Sequence, residues 1–263
     1  MSAASIYIPD GGMFMPTELS RGPWDPRAQH GGAPSALLAR ALERESRELG
    51  LVRLTLEFLK PVPLEPLTVS TRVVRPGRRA QLTEATLEAG GTPVCRALGL
   101  ALARAAGSAP RVPADAEPLP PPDGVEPSGS PPGVRPMFGG DGMELRFVRG
   151  SLEEPGPAAA WLRFRVPLIE GEEPTPVQRV AAAADFGNGV SASLDWNTHV
   201  FINADLTIYL VRPPRGEWVG LDSRTVVETD GVGLAESVVH DADGAIGHAA
   251  QGLLVGPRGN APA

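Results

Sequence analysis

Apolar and polar residues alternate with a period of two along most of this chain, in blocks bounded by Gly and Pro. Residues 51–59 read LVRLTLEFL, with Leu54, Leu56 and Phe58 on one face and Arg53, Thr55 and Glu57 on the other. That alternation marks a half-buried strand. Similar blocks predict strands at about 67–75, 80–89 and 93–104, with turn signals at Pro76-Gly77 and Gly90-Gly91. Ahead of them, Ile6–Pro9 and Met13–Leu19 read as short strands, followed by a Gly- and Pro-rich loop, RGPWDPRAQHGGAP. The spacing then turns helical from about Pro34 to Leu49, where Leu37, Leu38, Ala41, Leu42 and Leu49 form an apolar stripe. Pro34 suits the first helical turn and Gly50 the end.

The same order then recurs. Glu144–Gly150 and Ala160–Val166 read as strands and Pro176–Phe186 as a short alanine-rich helix. Strands at about 200–211, 217–227, 232–240 and 245–255 follow, with turns at Asp230-Gly231 and Asp243-Gly244. The recurrence reaches single residues: LTLEFLKP at 54–61 is echoed by LTIYLVRP at 206–213, an offset of 206 − 54 = 152. At that offset Leu54/Leu206, Thr55/Thr207, Pro61/Pro213, Arg72/Arg224, Leu82/Leu234, Glu84/Glu236 and Leu102/Leu254 are identical pairs. One fixed period over so long a stretch indicates a duplicated folding unit. Residues 54–103 are therefore expected to superpose on 206–255, with chemistry sought where the copies meet. Between them, ten of the thirty residues 107–136 are proline. Proline withholds strand ladder bonds and interrupts helices, so this segment is expected to be a loosely packed surface linker. The expected organisation is an N-terminal unit over 1–106, the linker over 107–136 and a C-terminal unit over 137–263. Each unit is an α+β arrangement, an antiparallel sheet packed on one helix.

Composition narrows the function classes. A chain of 263 residues with 42% hydrophobic and 21% charged residues suits a globular protein with a sizeable core. No apolar run approaches the ~20 residues a membrane helix needs, and the opening MSAASIYIPDGG shows no leader pattern. Cys95 is the single cysteine, so no internal disulfide is possible and a cytoplasmic address is expected. A net charge of −7 argues against nucleic acid as a partner. One basic cluster stands out, Arg72, Arg75, Arg78 and Arg79 in RVVRPGRR. It reads either as a solvated hairpin tip or as a landing site for a ligand's phosphates. His199, His240 and His248 show no metal-ligand spacing, and no metal site is expected. No nucleophile elbow, phosphate loop or dinucleotide fingerprint is present.

Several residues are candidates for chemistry. Asp205 occupies the position held by Arg53 in the first copy, a change from cation to anion, and a carboxylate at a seam can deprotonate water. Gln251 sits among small and apolar residues in HAAQGLLV and needs a buried hydrogen-bond partner. Gly31 and Gly32 precede a helix, where backbone N–H groups can hold an oxygen that gains charge; a purely conformational role is the other reading. Asp185, beside Asn188 in AAAADFGNGVS, is poorly placed for its helix dipole and needs a local partner, as a cap or as part of the site. Asn203, two residues from Asp205, is expected to point the same way and support it. Asp25 and His30, five residues apart, resemble the Asp-x-Asn-Pro-x-His segment of hotdog enoyl-CoA hydratases, with Arg27 and Ala28 where Asn and Pro are expected, and the resemblance implies an acid–base pair.

The order of elements, with QHGGAPSALL at 29–38 ahead of the first helix, EFLKP at 57–61 and ADLTIYLVRP at 204–213, resembles the double-hotdog acyl-CoA thioesterases. The resemblance implies two tandem hotdog units, each sheet wrapping a central helix, in a pseudo-two-fold molecule. It implies hydrolysis of a fatty or related acyl thioester, with coenzyme A present as part of the substrate and no separate cofactor, or an acyl-carrier thioester in its place. In that family an Asp, a Gln and a Ser or Thr hold the attacking water, which transfers here to Asp205, Gln251 and Thr225. The last departs from the pattern: a gapless alignment brings Val226 to the hydroxyl position, and a one-residue slip in a strand reverses the face. His30, Gly31, Gly32, Asn203 and Asp185 are then the oxyanion and substrate contacts, and Arg75, Arg78 and Arg79 the contacts to the coenzyme. Fold alone leaves two further readings open. One is a hotdog acyl-CoA hydratase or dehydratase using Asp25 and His30; the other is an acyl-thioester-binding protein without catalysis. The first copy offers Arg53 and Gly99 where the second has Asp205 and Gln251, so one active crevice is expected. Open strand edges lead to the expectation of a homo-oligomer.

Overall fold

The computed structural model describes residues 5–46 and 48–259; residues 1–4, Arg47 inside the expected first helix, and residues 260–263 lie outside the described residues. The chain begins with β1 (Tyr7–Asp10), β2 (Met13–Pro16), a single 3-10 turn (Glu18–Ser20) and α1 (Gly32–Ser46). Then come β3 (Gly50–Phe58), β4 (Leu67–Arg75), β5 (Ala80–Ala89) and β6 (Thr92–Leu102). After the linker follow β7 (Met143–Arg149), β8 (Ala158–Phe164), α2 (Pro176–Ala184) and α3 (Gly187–Val190). The chain continues as β9 (His199–Asn203), β10 (Asp205–Leu210), β11 (Val219–Val227), β12 (Val232–Asp241) and β13 (Gly244–Pro257).

The strands join in one antiparallel sheet in the order β1-β2-β4-β5-β6-β3-β10-β13-β12-β11-β8-β7, with β9 pairing β13 beside β10. The duplication is visible in the register. Ser70 pairs Thr86 in the first half and Asp222 pairs Val238 in the second, each shifted by 222 − 70 = 238 − 86 = 152. A β-bulge at Leu87/Glu88 recurs at Val239/His240, again 239 − 87 = 152 residues on. At the seam β3 pairs β10 with Thr55 opposite Thr207, so equivalent residues face each other as they do on a two-fold axis.

The core lies on one face of this sheet. Leu54, Leu56, Leu206 and Ile208 are fully buried there, while Tyr209 on the other face is 54% exposed. Each such buried side chain contributes about 2 kcal/mol of transfer free energy. Helix α1 packs on β3–β6, α2 and α3 pack on the second half of the sheet, and α1 packs against α2.

Three departures from the sequence-based expectation bear on function. Helix α1 begins at Gly32 rather than Pro34, because Pro34 still falls among the first residues whose N–H groups have no partner within a helix. The expected strand 200–211 breaks at Ala204 into β9 and β10. The linker runs over the surface but is anchored. Trp161 Nε1 donates to the Pro120 carbonyl at 2.6 Å, Arg146 to that of Pro122 at 3.0 Å, and the Ser128 N–H to that of Leu145 at 2.8 Å. Proline removes a donor but keeps its acceptor, which the Pro120 and Pro122 carbonyls use here.

Candidate active site

The two halves meet where the start of α1 abuts the end of α2. Asp185 caps α2 in helical conformation, and the chain turns there into α3. Its residue is 3% exposed, so the carboxylate needs partners. Oδ1 accepts a hydrogen bond from Asn203 Nδ2 at 2.8 Å, and Oδ2 lies 2.9 Å from His30 Nδ1. Gln251 Nε2 donates to the Asp185 carbonyl at 3.2 Å and lies 3.5 Å from Oδ1. Gln251 Oε1 in turn accepts the Asn188 N–H at 3.0 Å, and Asn188 Nδ2 donates to the Phe201 carbonyl at 3.1 Å. The network thus draws His30 from the first half to Asp185, Asn188, Asn203 and Gln251 from the second.

The glycines make this approach possible. A Cβ on Gly31 would lie 2.7 Å from Asp185 Oδ2 and 2.8 Å from Phe58 Cζ, and one on Gly32 would lie 2.5 Å from the Ala182 carbonyl. Only glycine admits the carboxylate so close to the helix start. The His30 ring stacks on Phe186 with centroids 4.2 Å apart. Its Nδ1 lies between Asp185 Oδ2 and the Gly32 N–H at 3.1 Å. It can donate to the first or accept from the second, according to tautomer.

The bulge at Ala204 separates two residues expected to work together. The Ala204 N–H donates to the Gly252 carbonyl, and its carbonyl accepts from the Phe58 N–H. As a result Asn203 pairs Leu253 and turns inward, while Asp205 falls beside Gly252 and Glu57 on the outer face. Asp205 Oδ1 accepts the Gly252 N–H at 2.6 Å. The structure therefore does not bring Asp205 to Gln251, and the carboxylate beside Gln251 is that of Asp185.

Thr225 pairs Ala235, which pairs Gln251, so the three form a row across adjacent strands on the helix side. Val226 is 62% exposed on the other face, which leaves Thr225 as the inward hydroxyl. Two strand spacings, about 10 Å, separate Thr225 from Gln251, and its hydroxyl partner is Ser191 Oγ at 2.8 Å. Ser191 had no signal in the sequence beyond its place two residues after the Gly-Asn-Gly of α3.

One further expectation, an Asp25–His30 pair, is not met by the geometry. Asp25 pairs with Arg27 at 2.8 Å, which holds its carboxyl below the usual aspartate range, and it makes no pair with His30. The spacing of five residues falls in a loop whose chain reversal separates them. Arg75 pairs Leu82, in the row of Leu100 and Arg53. Arg53 lies five residues along β3 from Phe58, roughly 17 Å. Arg75, Arg78 and Arg79 lie at an exposed hairpin tip at the end of the sheet away from His30. Among the described residues no group of three or more His, Cys, Asp or Glu is arranged to hold a metal ion. No described helix is long and apolar enough to cross a membrane.

The opposite crevice, where α2 starts against α1, is built differently. Thr175 caps α2, and Glu43 Oε2 accepts from Thr175 Oγ1 at 2.6 Å and from Gln178 Nε2 at 3.2 Å. Burial pushes the Glu43 carboxyl above its ordinary value. Gly99 and Leu51 stand at the positions equivalent to Gln251 and Asn203, and a Cβ on Gly99 would already touch Leu42 and Leu51 methyls at 3.1 Å. Leucine side chains fill the space that carries the polar network on the other side.

Solved structures share this architecture. A hot dog fold protein of unknown function from Alicyclobacillus acidocaldarius superposes with a TM-score of 0.76 at 20% identity, over 99% of this chain and 97% of that one. An acyl-CoA thioesterase II from Mycobacterium marinum gives 0.65 at 16% identity, over 94% of each chain. At these identities the likeness is one of fold, a hotdog fold with a large antiparallel sheet and few helices. No curated protein matches the sequence. Residues 20–102 match the acyl-CoA thioesterase N-terminal domain family and residues 113–255 the acyl-CoA thioesterase C-terminal domain family. The chain belongs to the acyl-CoA thioesterase family.

Proposed function

We propose that the chain is a pair of fused hotdog units, each sheet wrapped on its own helix. It hydrolyses an acyl-CoA or carrier-borne acyl thioester at the crevice between His30-Gly31-Gly32 and Asp185. The observation that carries this reading is the buried Asp185 carboxylate, held by Asn203 beside Gln251 and pressed against the start of α1. In the proposed reaction a water gives a proton to Asp185 as its oxygen adds to the thioester carbon. The carbonyl oxygen becomes an oxyanion at the positive end of α1, where the Gly31 and Gly32 N–H groups stabilise it. With the Nδ1 proton of His30 directed to Asp185, the Gly32 N–H is released for that role. Collapse breaks the C–S bond, and the thiolate recovers the proton from Asp185. Gln251 and Asn203 orient the carboxylate and the water.

Release of free thiol from a series of acyl-CoA substrates tests the reading. Turnover is expected for the native protein and is lost in Asp185→Asn. Failure to release thiol from any acyl chain length overturns it.

A further inference from the structure

We propose that Trp24, Trp196 and Phe201 bind the pantetheine arm of the substrate, with the Trp196 indole N–H taking one of its amide carbonyls. This rests on the thioesterase reading and extends it from the reacting carbon to the thiol handle. Trp24 and Trp196 stack with centroids 5.0 Å apart and 18° between planes, and Phe201 meets both edge-on at 4.9 and 4.6 Å. The cluster adjoins the Asp185 network on each side. Trp24 lies on the loop that leads to His30, and the Phe201 carbonyl is the acceptor of Asn188 Nδ2. A Cβ on Gly189 of α3 would lie 3.6 Å from the Trp196 ring, so the glycine leaves room for the indole.

The second observation is a missing partner. Trp196 is 9% exposed, yet its Nε1 is buried with no hydrogen bond. An unpartnered buried N–H disfavours the free state, and a carbonyl arriving with the ligand would satisfy it. A pantetheine arm suits the site: methylenes to lie on aromatic faces, and amide carbonyls to accept. Arg258 donates to the Trp196 carbonyl at 2.5 Å and stands 5.9 Å over the Trp24 ring. A cation is therefore present where the arm's phosphate would emerge. CoA and carrier proteins present the same arm.

Calorimetric titration of Asp185→Asn protein with pantetheine, CoA and a phosphopantetheinylated carrier protein tests binding without turnover. Pantetheine is expected to bind. Trp196→Phe, which keeps a ring and removes the N–H, is expected to weaken it about 5- to 10-fold, as for one lost hydrogen bond. In turnover the same change should raise KM for acyl-CoA by that factor and leave the acyl thioester of mercaptoethanol, which has no amide, unchanged. Trp24→Leu should weaken the arm-bearing ligands likewise and serves if Trp196→Phe fails to fold. Binding of CoA, of the carrier protein or of both supports the site and shows which handle is used. Unchanged pantetheine affinity in both variants, or equal KM effects on the two thioesters, overturns it. Pantetheine binding lost on Trp196→Phe in a protein that releases no thiol would retain this site and discard the hydrolysis.

Discussion

The two crevices of this molecule lie in halves whose strand pairings match at an offset of 152 residues, and they differ in a specific way. In one, Asp185, Asn203, Gln251 and Asn188 form a buried hydrogen-bonded network against the start of α1. In the other, Leu42 and Leu51 crowd the equivalent space beside Gly99, and the carboxylate there, Glu43, accepts from Thr175, the cap of α2, and from Gln178. The strand register is the same in both, apart from a bulge at Val73/Arg75 in the first half that the second lacks. What distinguishes the polar crevice from the apolar one is mainly a handful of side chains on a shared frame.

The largest effect should come from the carboxylates. Asp185→Asn is expected to lower kcat for thiol release by ~100-fold or more, the scale for losing a positioned base. Glu43→Gln and Asp205→Asn should leave turnover near native. Comparable loss in Glu43→Gln would mean that both crevices work, and loss in Asp205→Asn alone would return the base to the outer face.

Gly31→Ala should come next. Its Cβ would collide with Asp185 Oδ2 and Phe58, and overpacking of this kind costs about 1–3 kcal/mol. Both melting temperature and turnover should fall. A fully active Gly31→Ala protein would show that the close approach is dispensable. Gln251→Leu should cost about 1–3 kcal/mol as well, because the buried Asn188 N–H loses its acceptor. Gly99→Ala in the other crevice meets only ordinary side-chain methyls and should cost less. Denaturant midpoints of the two variants would rank them, and a reversed order would contradict the polar-versus-apolar contrast.

The smallest effect concerns pH. Burial raises the folded-state pKa of Glu43, so the folded protein binds the extra proton more readily than the unfolded chain. The stability it contributes is complete below the ordinary glutamate value and is lost as pH rises through the raised value. Glu43→Gln should therefore melt slightly higher than native at neutral pH, with the difference vanishing in acid. A constant difference across pH would place the effect elsewhere.

The strands were legible because alternation reports burial on one face directly, as in Leu54, Leu56, Leu206 and Ile208. The offset of 206 − 54 = 152 carried the register across the halves. The site was legible only in part. Gln251 was found from its apolar surroundings and Asp185 from its misfit at a helix end, but the link between them depends on contacts distant in sequence. Asp205 attracted the base because an anion replaced Arg53. Its alternation with buried Leu206 already places it on the outer face with Thr207 and Tyr209, and the bulge at Ala204, an extra residue that nothing in FINADLT signals, turns Asn203 rather than Asp205 inward. The arginine tip was visible as charge, but its place at the far end of the sheet follows from register rather than composition.

The anchored linker also says how the fused chain divides. Its Pro120 and Pro122 carbonyls accept from Trp161 and Arg146 and its Ser128 N–H donates to the Leu145 carbonyl, all in the second half. Its last carbonyl, Pro136, accepts from Arg21 of the first half. The halves themselves join through the β3–β10 ladder and the α1–α2 contact. The covalent connection is thus not what holds the crevice together. A cut within the exposed residues 107–113 would yield two fragments, the longer keeping its proline strap, that can reassemble into the same fold when co-expressed.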